Sequence, residues 1–302
     1  MSADLDALLE KSSRTFALSI PLLPEPTRRA VSVAYLLFRI ADTFEDATLW
    51  PPEKRIRALG EFAGMLRDPS EERAGALAAG WLAPPPCDHA GYLELLRETP
   101  GVIAHFLSLP EDIAAAIRAS VTASAEGMAR FVGRMSGEGD LRLGGIDDLR
   151  DYCHVVAGLV GEMLTEIFLF ERPALAPAAG FLRERASRFG EGLQLVNILK
   201  DAGADGAEGR SYLPADVPLA DVFTLARRDL ATAADYVLAL QEGGAPKGIV
   251  GFTALPVELA WATLDRVESR GPGSKVPRTE VFRIVSRLRR DLDRHRPAVR
   301  RR

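Results

Sequence analysis

Gln194 to Pro214, reading QLVNILKDAGADGAEGRSYLP, restricts the fold of this chain more than any other stretch. Gln194, Asn197, Asp201 and Asp205 follow one another at spacings of three, four and four. On an α-helix those positions lie along one face. Leu195, Val196, Ile198 and Leu199 give the same segment apolar surface to bury. A buried helix with two amides and two carboxylates on one stripe is costly unless something compensates the charge. An earlier stretch, Ala41 to Ala47 (ADTFEDA), repeats the arrangement, with Asp42 and Asp46 four apart and Glu45 between them. Two such stripes facing each other across a cavity would hold hard cations, Mg²⁺ above all.

The rest of the chain has helical period, with no sustained period-2 alternation and no Asn-Gly hairpin signal. Asp4 to Lys11 opens a short helix, and Ser12 to Ile20 is polar and then apolar until Pro21, Pro24 and Pro26 break it. Thr27 is placed to cap an apolar helix through about Thr43, and Pro51-Pro52 starts another that ends near Arg67. Asp68 to Pro86, rich in Ala, Gly and Pro, reads as a loose surface region. Helices are predicted over about 88–97, 101–108 and 110–136, with a Gly-rich turn at 136–145. A long apolar helix follows over 146–170. Its Gly158 and Gly161 are points where a neighbouring helix or a ligand can approach closely. The next, over 177–200, leads into the acidic face, with Gly203, Gly206 and Gly209 loosening its end. Helices over about 218–242 and 251–270 and a basic one from about 278 complete the chain. These patterns predict one all-α domain over residues 1–302.

Composition narrows the function. A net charge of −4 argues against nucleic-acid binding, which calls for a basic surface. Two cysteines, Cys87 and Cys153, make no disulfide framework, so the expectation is a reducing cytoplasm, with Cys153 as a core residue. No secretory signal and no uninterrupted apolar run of spanning length is visible. Arg283 to Arg302 carries nine arginines against two aspartates. That tail reads either as a solvated helix and end, or as a segment with loose peripheral attraction to an anionic membrane.

One acidic i, i+4 pair is a weak signal, because exposed like charges cost a helix only about 0.2–0.5 kcal/mol. At roughly 6 Å and an effective dielectric near 20 the repulsion is about 3 kcal/mol, so a partly buried pair calls for a cation. Cations so held call in turn for an anion, and phosphate is the usual partner of Mg²⁺ bound by few carboxylates. Donors lie nearby: Ser13, Arg14 and Thr15 near the start, Arg39 three residues before Asp42, and Lys200 and Arg210 flanking the second motif. Together with the carboxylates they describe a diphosphate clamp. His89, His105, His154 and His295 have no mutual spacing suited to zinc, and Trp50 and Trp81 read as packing residues in loops.

Four blocks then carry a resemblance. SRTFALSIPLLPEPTRRAV, YLLFRIADTFED, YCHVVAGLVG and LQLVNILKDAGAD…GRSYLP, in that order over about residues 12–214, resemble the signature blocks of the squalene/phytoene synthase family. DTFED, GMARF and YCHVVAGLVG lean toward its squalene synthases. The resemblance implies an all-α isoprenoid-synthase helical bundle around a central cavity. It implies head-to-head joining of two prenyl diphosphates, farnesyl diphosphate in the squalene branch, through presqualene diphosphate to squalene. By matching positions, Asp42 and Asp46 would bind Mg²⁺ on one side, and Asn197, Asp201 and Asp205 on the other. Ser13, Arg14, Thr15, Tyr35, Arg39, Gln194, Lys200 and Arg210 would contact diphosphates or shape their pocket. Tyr152 would handle the cation or its proton. Phe16, Phe38, Val156, Ala157, Gly158, Gly161 and Leu164 would form the apolar wall that keeps water from the carbocation.

The chain departs from the family pattern in places. Lys200 stands where many relatives have arginine, and Ala204 where an acidic residue is frequent. No nucleotide-binding block for NADPH is recognisable, although Lys275, Arg278 and Arg283 are candidates for its phosphates. Phytoene, dehydrosqualene, hydroxysqualene and presqualene diphosphate therefore stay open as products of the same chemistry. A non-enzymatic assembly factor of the same fold is the remote alternative, and the four retained aspartates argue against it.

Overall fold

The computed structural model describes residues 3–13, 16–135, 141–207 and 210–302; at 17–18, 204–207 and 210 it describes only the backbone. Among the described residues the fold is all-α apart from two two-residue strands. The chain forms two compact units, one of Met1–Pro21 with Glu25–Met135 and one of Leu22–Pro24 with Ser136–Arg302.

The first unit begins with helix α1 (Leu5–Ser12), where the Asp4 carboxylate accepts the Ala7 N–H at 3.1 Å. A single turn, α2 (Phe16–Ser19), leads into a 3₁₀ segment, Ile20–Leu22. Helix α3 (Thr27–Glu45) runs through the centre of the unit, with Leu36, Leu37, Ile40, Ala41 and Phe44 fully buried. Thr27 is its first helical residue, and Pro26 takes the capping position. Helices α4 (Pro52–Arg67), α5 (Glu71–Trp81), α6 (Ala90–Arg97), α7 (Thr99–Leu107) and α8 (Glu111–Val132) complete the unit. Both α4 and α8 pack on α3.

Helix α5 corrects the expectation of a loose region over 68–86. Ser70 accepts the Arg73 N–H at 3.2 Å, and Glu71 and Glu72 fill the first turn, where carboxylates favour the positive helix end. Alanine supplies four of the remaining nine residues, so the Ala-rich composition is a helix former here rather than a loop marker. Trp81 is therefore helical rather than in a loop, and both tryptophans pack. Trp81 meets Phe44 edge-on at 4.7 Å between ring centroids, and Trp50 stacks on Phe44 at 5.8 Å.

In the second unit the long apolar segment is three pieces: α9 (Gly145–Cys153), a π-helical turn (His154–Gly158) and α10 (Leu159–Glu171). By length and composition Gly145–Glu171 is apolar enough to cross a membrane, but half of the qualifying window is buried in the protein. A 3₁₀ segment, Pro173–Ala178, leads to α11 (Ala179–Ala207), which packs on α10, the π turn, α12 (Leu219–Glu242) and α13 (Lys247–Arg270). Helix α11 continues past the expected end at Lys200, through Gly203 and Gly206. Strand β1 (Leu141–Arg142) pairs in parallel with β2 (Arg210–Ser211). Helix α14 (Arg278–Asp293) packs on α13.

The close approach expected at Gly158 and Gly161 is made by a helix. A Cβ on Gly161 would lie 2.0 Å from the Ala186 carbonyl oxygen, and one on Gly190 would lie 1.9 Å from that of Ala157. Glycines thus let α10 and the π turn sit backbone to backbone against α11.

Candidate active site

The first acidic motif occupies the C-terminal turn of α3. Asp42 lies in the last turn of the helix. Asp46 is the first residue beyond it and donates its backbone N–H to the Asp42 carbonyl at 2.8 Å. That end of a helix carries partial negative charge, and the last turn of α3 has no basic residue. Carboxylates there add negative charge to negative charge. Behind them, the buried cluster of Phe44, Trp50, Phe62 and Trp81 fixes the helix end.

Arg39 reaches Asp42 as its spacing predicts, Nη1 to Oδ2 at 3.3 Å, and donates from Nη2 to the Tyr35 hydroxyl at 3.0 Å. Its guanidinium lies over two rings, Tyr35 at 5.5 Å and Tyr92 at 5.7 Å from the centroids. Each such cation–π contact contributes about 0.5–2 kcal/mol as it becomes desolvated. Burial works against the charge of Arg39, but Asp42, Tyr35 and Tyr92 more than offset it, and its pKa is raised. Its Nε is buried with no hydrogen-bond partner. Asp42 is pushed up to about 6 by burial, with Arg39 pulling it down and Asp46 adding repulsion. Phe16 tilts against Tyr35 at 5.5 Å, and Phe38 is buried. Ser13 ends α1, its N–H bonded to the Leu9 carbonyl at 2.9 Å. Arg14 and Thr15 lie outside the described residues.

The second motif lies on about the last four turns of α11, which has no basic residue in its last turn. Leu195, Val196, Ile198 and Leu199 are buried, as their apolar character predicts. Asn197 is exposed, and Gln194 is half-buried. Lys200 ion-pairs with Asp201 at 3.0 Å, and its Nζ is 3.5 Å from Asn197 Oδ1. Nearly half of the Asp201 side chain is exposed, 47%, against 30% for Asp42. Asp205 lies within the span of α11 and Arg210 opens β2, but their side chains are outside the described residues.

Tyr152 is buried in the last turn of α9 and stacks on Tyr212 at 4.6 Å with 25° between the planes. The β1–β2 pairing explains how: it fixes Arg210–Ser211 beside Leu141–Arg142, and Tyr212 follows directly. The next turn carries Val156 and Ala157, both half-buried, while Leu164 is buried. Beneath lies a polar network absent from the sequence expectations. Arg150 bonds Asp229 at 3.0 Å and Glu191 at 3.4 Å; Arg188 and Ser187 also bond Glu191. His154 Nδ1 is 2.9 Å from the Ser187 hydroxyl. Burial and these two carboxylates push the Cys153 thiol up, with Arg150 opposing, as befits a core cysteine.

Among the described residues, no three His, Cys, Asp or Glu side chains converge to hold a metal by themselves. The donor sets still fit Mg²⁺: carboxylate oxygens and an amide oxygen at negative helix ends, with each stripe supplying a few ligands. Mg²⁺ is commonly bound in this way, with phosphate oxygens and water filling the remaining positions. Tyr92, Tyr212, Arg150, Glu191 and Asp229 were missed in the sequence. Tyr212 alone had a local signal, lying inside GRSYLP.

The all-α architecture is that of the isoprenoid-synthase helical folds. The chain belongs to the squalene/phytoene synthase family, whose description matches residues 9–221. It is 30% identical over 213 residues to the squalene synthase of Schizosaccharomyces pombe, an alignment covering 70% of this chain and 43% of that protein. The chain thus spans less than half the length of this relative. A solved structure of TcSQS with the ligand BPH1237 superposes with a TM-score of 0.72 at 25% identity, covering 96% of this chain and 89% of that one. A dehydrosqualene synthase with ligand shares the fold at a TM-score of 0.63 and 20% identity, over 96% and 95% of the two chains.

Proposed function

We propose that this chain is a Mg²⁺-dependent prenyltransferase that joins two farnesyl diphosphates head to head, through presqualene diphosphate to squalene. The observation that carries the reading is the pair of acidic motifs, each at the negative end of a helix and each with one basic side chain beside it. Asp42, Asp46, Asn197, Asp201 and Asp205 would hold Mg²⁺, which when bound neutralises the departing diphosphate. Arg39 and Lys200, with Ser13, Arg14, Thr15, Tyr35, Gln194 and Arg210, would bind and orient the phosphate oxygens. Arg39 is already held by Tyr35 and Tyr92, so little ordering entropy remains to be lost when it takes a phosphate. Tyr152, stacked and buried, would face the carbocation or its proton with a π surface and a hydroxyl. Phe16, Phe38, Val156, Ala157 and Leu164 would exclude water. Burying one fifteen-carbon tail contributes up to about 12 kcal/mol at roughly 0.8 kcal/mol per carbon.

Lys275, Arg278 and Arg283 are the candidates for NADPH phosphates, all exposed. The testing experiment gives purified protein farnesyl diphosphate and Mg²⁺, with and without NADPH, and identifies hexane-soluble products by mass spectrometry after phosphatase treatment. Squalene only with NADPH, and presqualene alcohol without it, is the expected result. A C30 product indifferent to NADPH moves the reading to dehydrosqualene or hydroxysqualene formation. No product from farnesyl or geranylgeranyl diphosphate overturns it and favours a non-enzymatic role.

A further inference from the structure

A second feature of the chain also calls for an anion, and of the residues given a role above it shares only Arg283, a candidate for the NADPH phosphates. In the second unit, α13, α14 and the residue Arg302 line a cavity of about 580 Å³. Six arginines line it, Arg266, Arg270, Arg283, Arg287, Arg290 and Arg302, against three carboxylates, Glu258, Asp265 and Glu280.

The carboxylates are already committed. Arg266 pairs with Glu280 and Arg287 with Glu258, while Arg302 bonds Asp265 at 2.8 Å. Glu258 is almost fully buried and also accepts the Arg300 backbone N–H at 3.3 Å; Asp265 is shared with Arg227 at 3.7 Å. Arg270, Arg283 and Arg290 have no ion-pair partner among the described residues, and the Arg266 Nε is buried with no hydrogen-bond partner.

Helix geometry concentrates this excess. Arg283, Arg287 and Arg290 fall on one face of α14, and Arg266 and Arg270 on one face of α13. Like charges at such spacings repel, so the arrangement calls for a counter-charge in the cavity. Arginine's planar fork matches phosphate oxygens two at a time. The volume lies within the usual range for small-ligand sites, about 300–1,000 Å³.

We propose that this cavity is a phosphate-ester site, distinct from the two acidic helix ends and independent of Mg²⁺. It takes a group carrying several negative charges, a diphosphate or a terminal phosphate monoester. A solvated basic tail would attract any anionic surface loosely. A cavity with three uncommitted arginines instead binds one phosphate group per chain and saturates.

The test keeps the full chain in EDTA, so that the acidic ends cannot bind phosphate through metal. Inorganic pyrophosphate is titrated by calorimetry, and in parallel the protein is sedimented with phosphatidylcholine vesicles with and without phosphatidic acid. R270Q/R290Q changes two exposed side chains, and R290Q alone repeats the test if the double change disturbs the fold. One-to-one pyrophosphate binding, weakened tenfold or more in the variant, supports the site and assigns it to a soluble diphosphate. Capture by phosphatidic acid vesicles only, lost in the variant, supports it with a lipid phosphate as the source. D42N/D201N should bind as the wild type does, which separates this site from the proposed active site. Binding in neither arm, equal binding by R270Q/R290Q, or loss in D42N/D201N overturns the proposal.

Discussion

The two acidic helix ends solve the same electrostatic problem differently. At the end of α3, Asp42 is three-tenths exposed, shifted toward neutrality by burial, and tied to an arginine fixed by two tyrosines. At the end of α11, Asp201 is nearly half exposed and shares a lysine with Asn197. A desolvated carboxylate beside a preorganised cation interacts strongly with whatever charge arrives, because local screening is weak. A wet carboxylate with a flexible lysine gains less per contact but adapts to more geometries. The α3 end is therefore the more rigid of the two acidic ends and the α11 end the more adjustable.

Substitutions can break that comparison. Asp42→Asn should cost the most, lowering kcat for farnesyl diphosphate about 10²–10³-fold, the scale of losing one electrostatic transition-state contact. Asp201→Asn should cost less than Asp42→Asn, and the reverse order, in steady-state kinetics with unchanged circular dichroism, would remove the rigid-versus-adjustable distinction. Next in size is the exchange of bases. Arg39→Lys keeps the charge but loses the fork and the two-ring seat, so KM should rise about tenfold, whereas Lys200→Arg should change it by about threefold or less. Equal effects would show that only net charge matters. The α11 backbone supplies a third contrast. Gly190→Ala sets a Cβ 1.9 Å from the Ala157 carbonyl oxygen and should destabilise by about 1–3 kcal/mol. The smallest effect is expected at Gly203→Ala, where a Cβ meets nothing within 4 Å. It should gain about 0.5–1 kcal/mol of stability. A loss at Gly203 in thermal unfolding would mean that the acidic end of α11 is more crowded than described.

The sequence disclosed local relations well and distant ones poorly. Arg39 and Asp42 were legible because three residues of helix put them on one face. The apolar run of Leu195 to Leu199 announced its own burial. Helix α5 was missed because alanine and glycine were weighed as loop residues, although Ser70 and two glutamates marked a helix start. The continuation of α11 through Gly203 and Gly206 was missed for a related reason: a glycine costs about 1 kcal/mol, too little to end a helix already propagating from a buried face. The π turn at His154–Gly158 shifts the register of an apolar segment, and an all-round apolar pattern hides such a shift. Tyr92 on Arg39 and Tyr212 on Tyr152 join residues 53 and 60 positions apart, a separation at which periodicity carries no information. The buried Arg150–Asp229–Glu191 network was equally invisible, since each residue alone reads as a surface charge.

The most direct test of the account is a calorimetric titration of Mg²⁺ in the presence and absence of a non-ionising farnesyl thiolodiphosphate. Among the described residues no three acidic or histidine ligands come together, and in the proposed site phosphate oxygens and water would complete the coordination of Mg²⁺. The account predicts weak Mg²⁺ binding alone, tight binding with the thiolodiphosphate, and loss of the tight phase in both Asp42→Asn and Asp201→Asn. A tight phase that survives in both variants would contradict it.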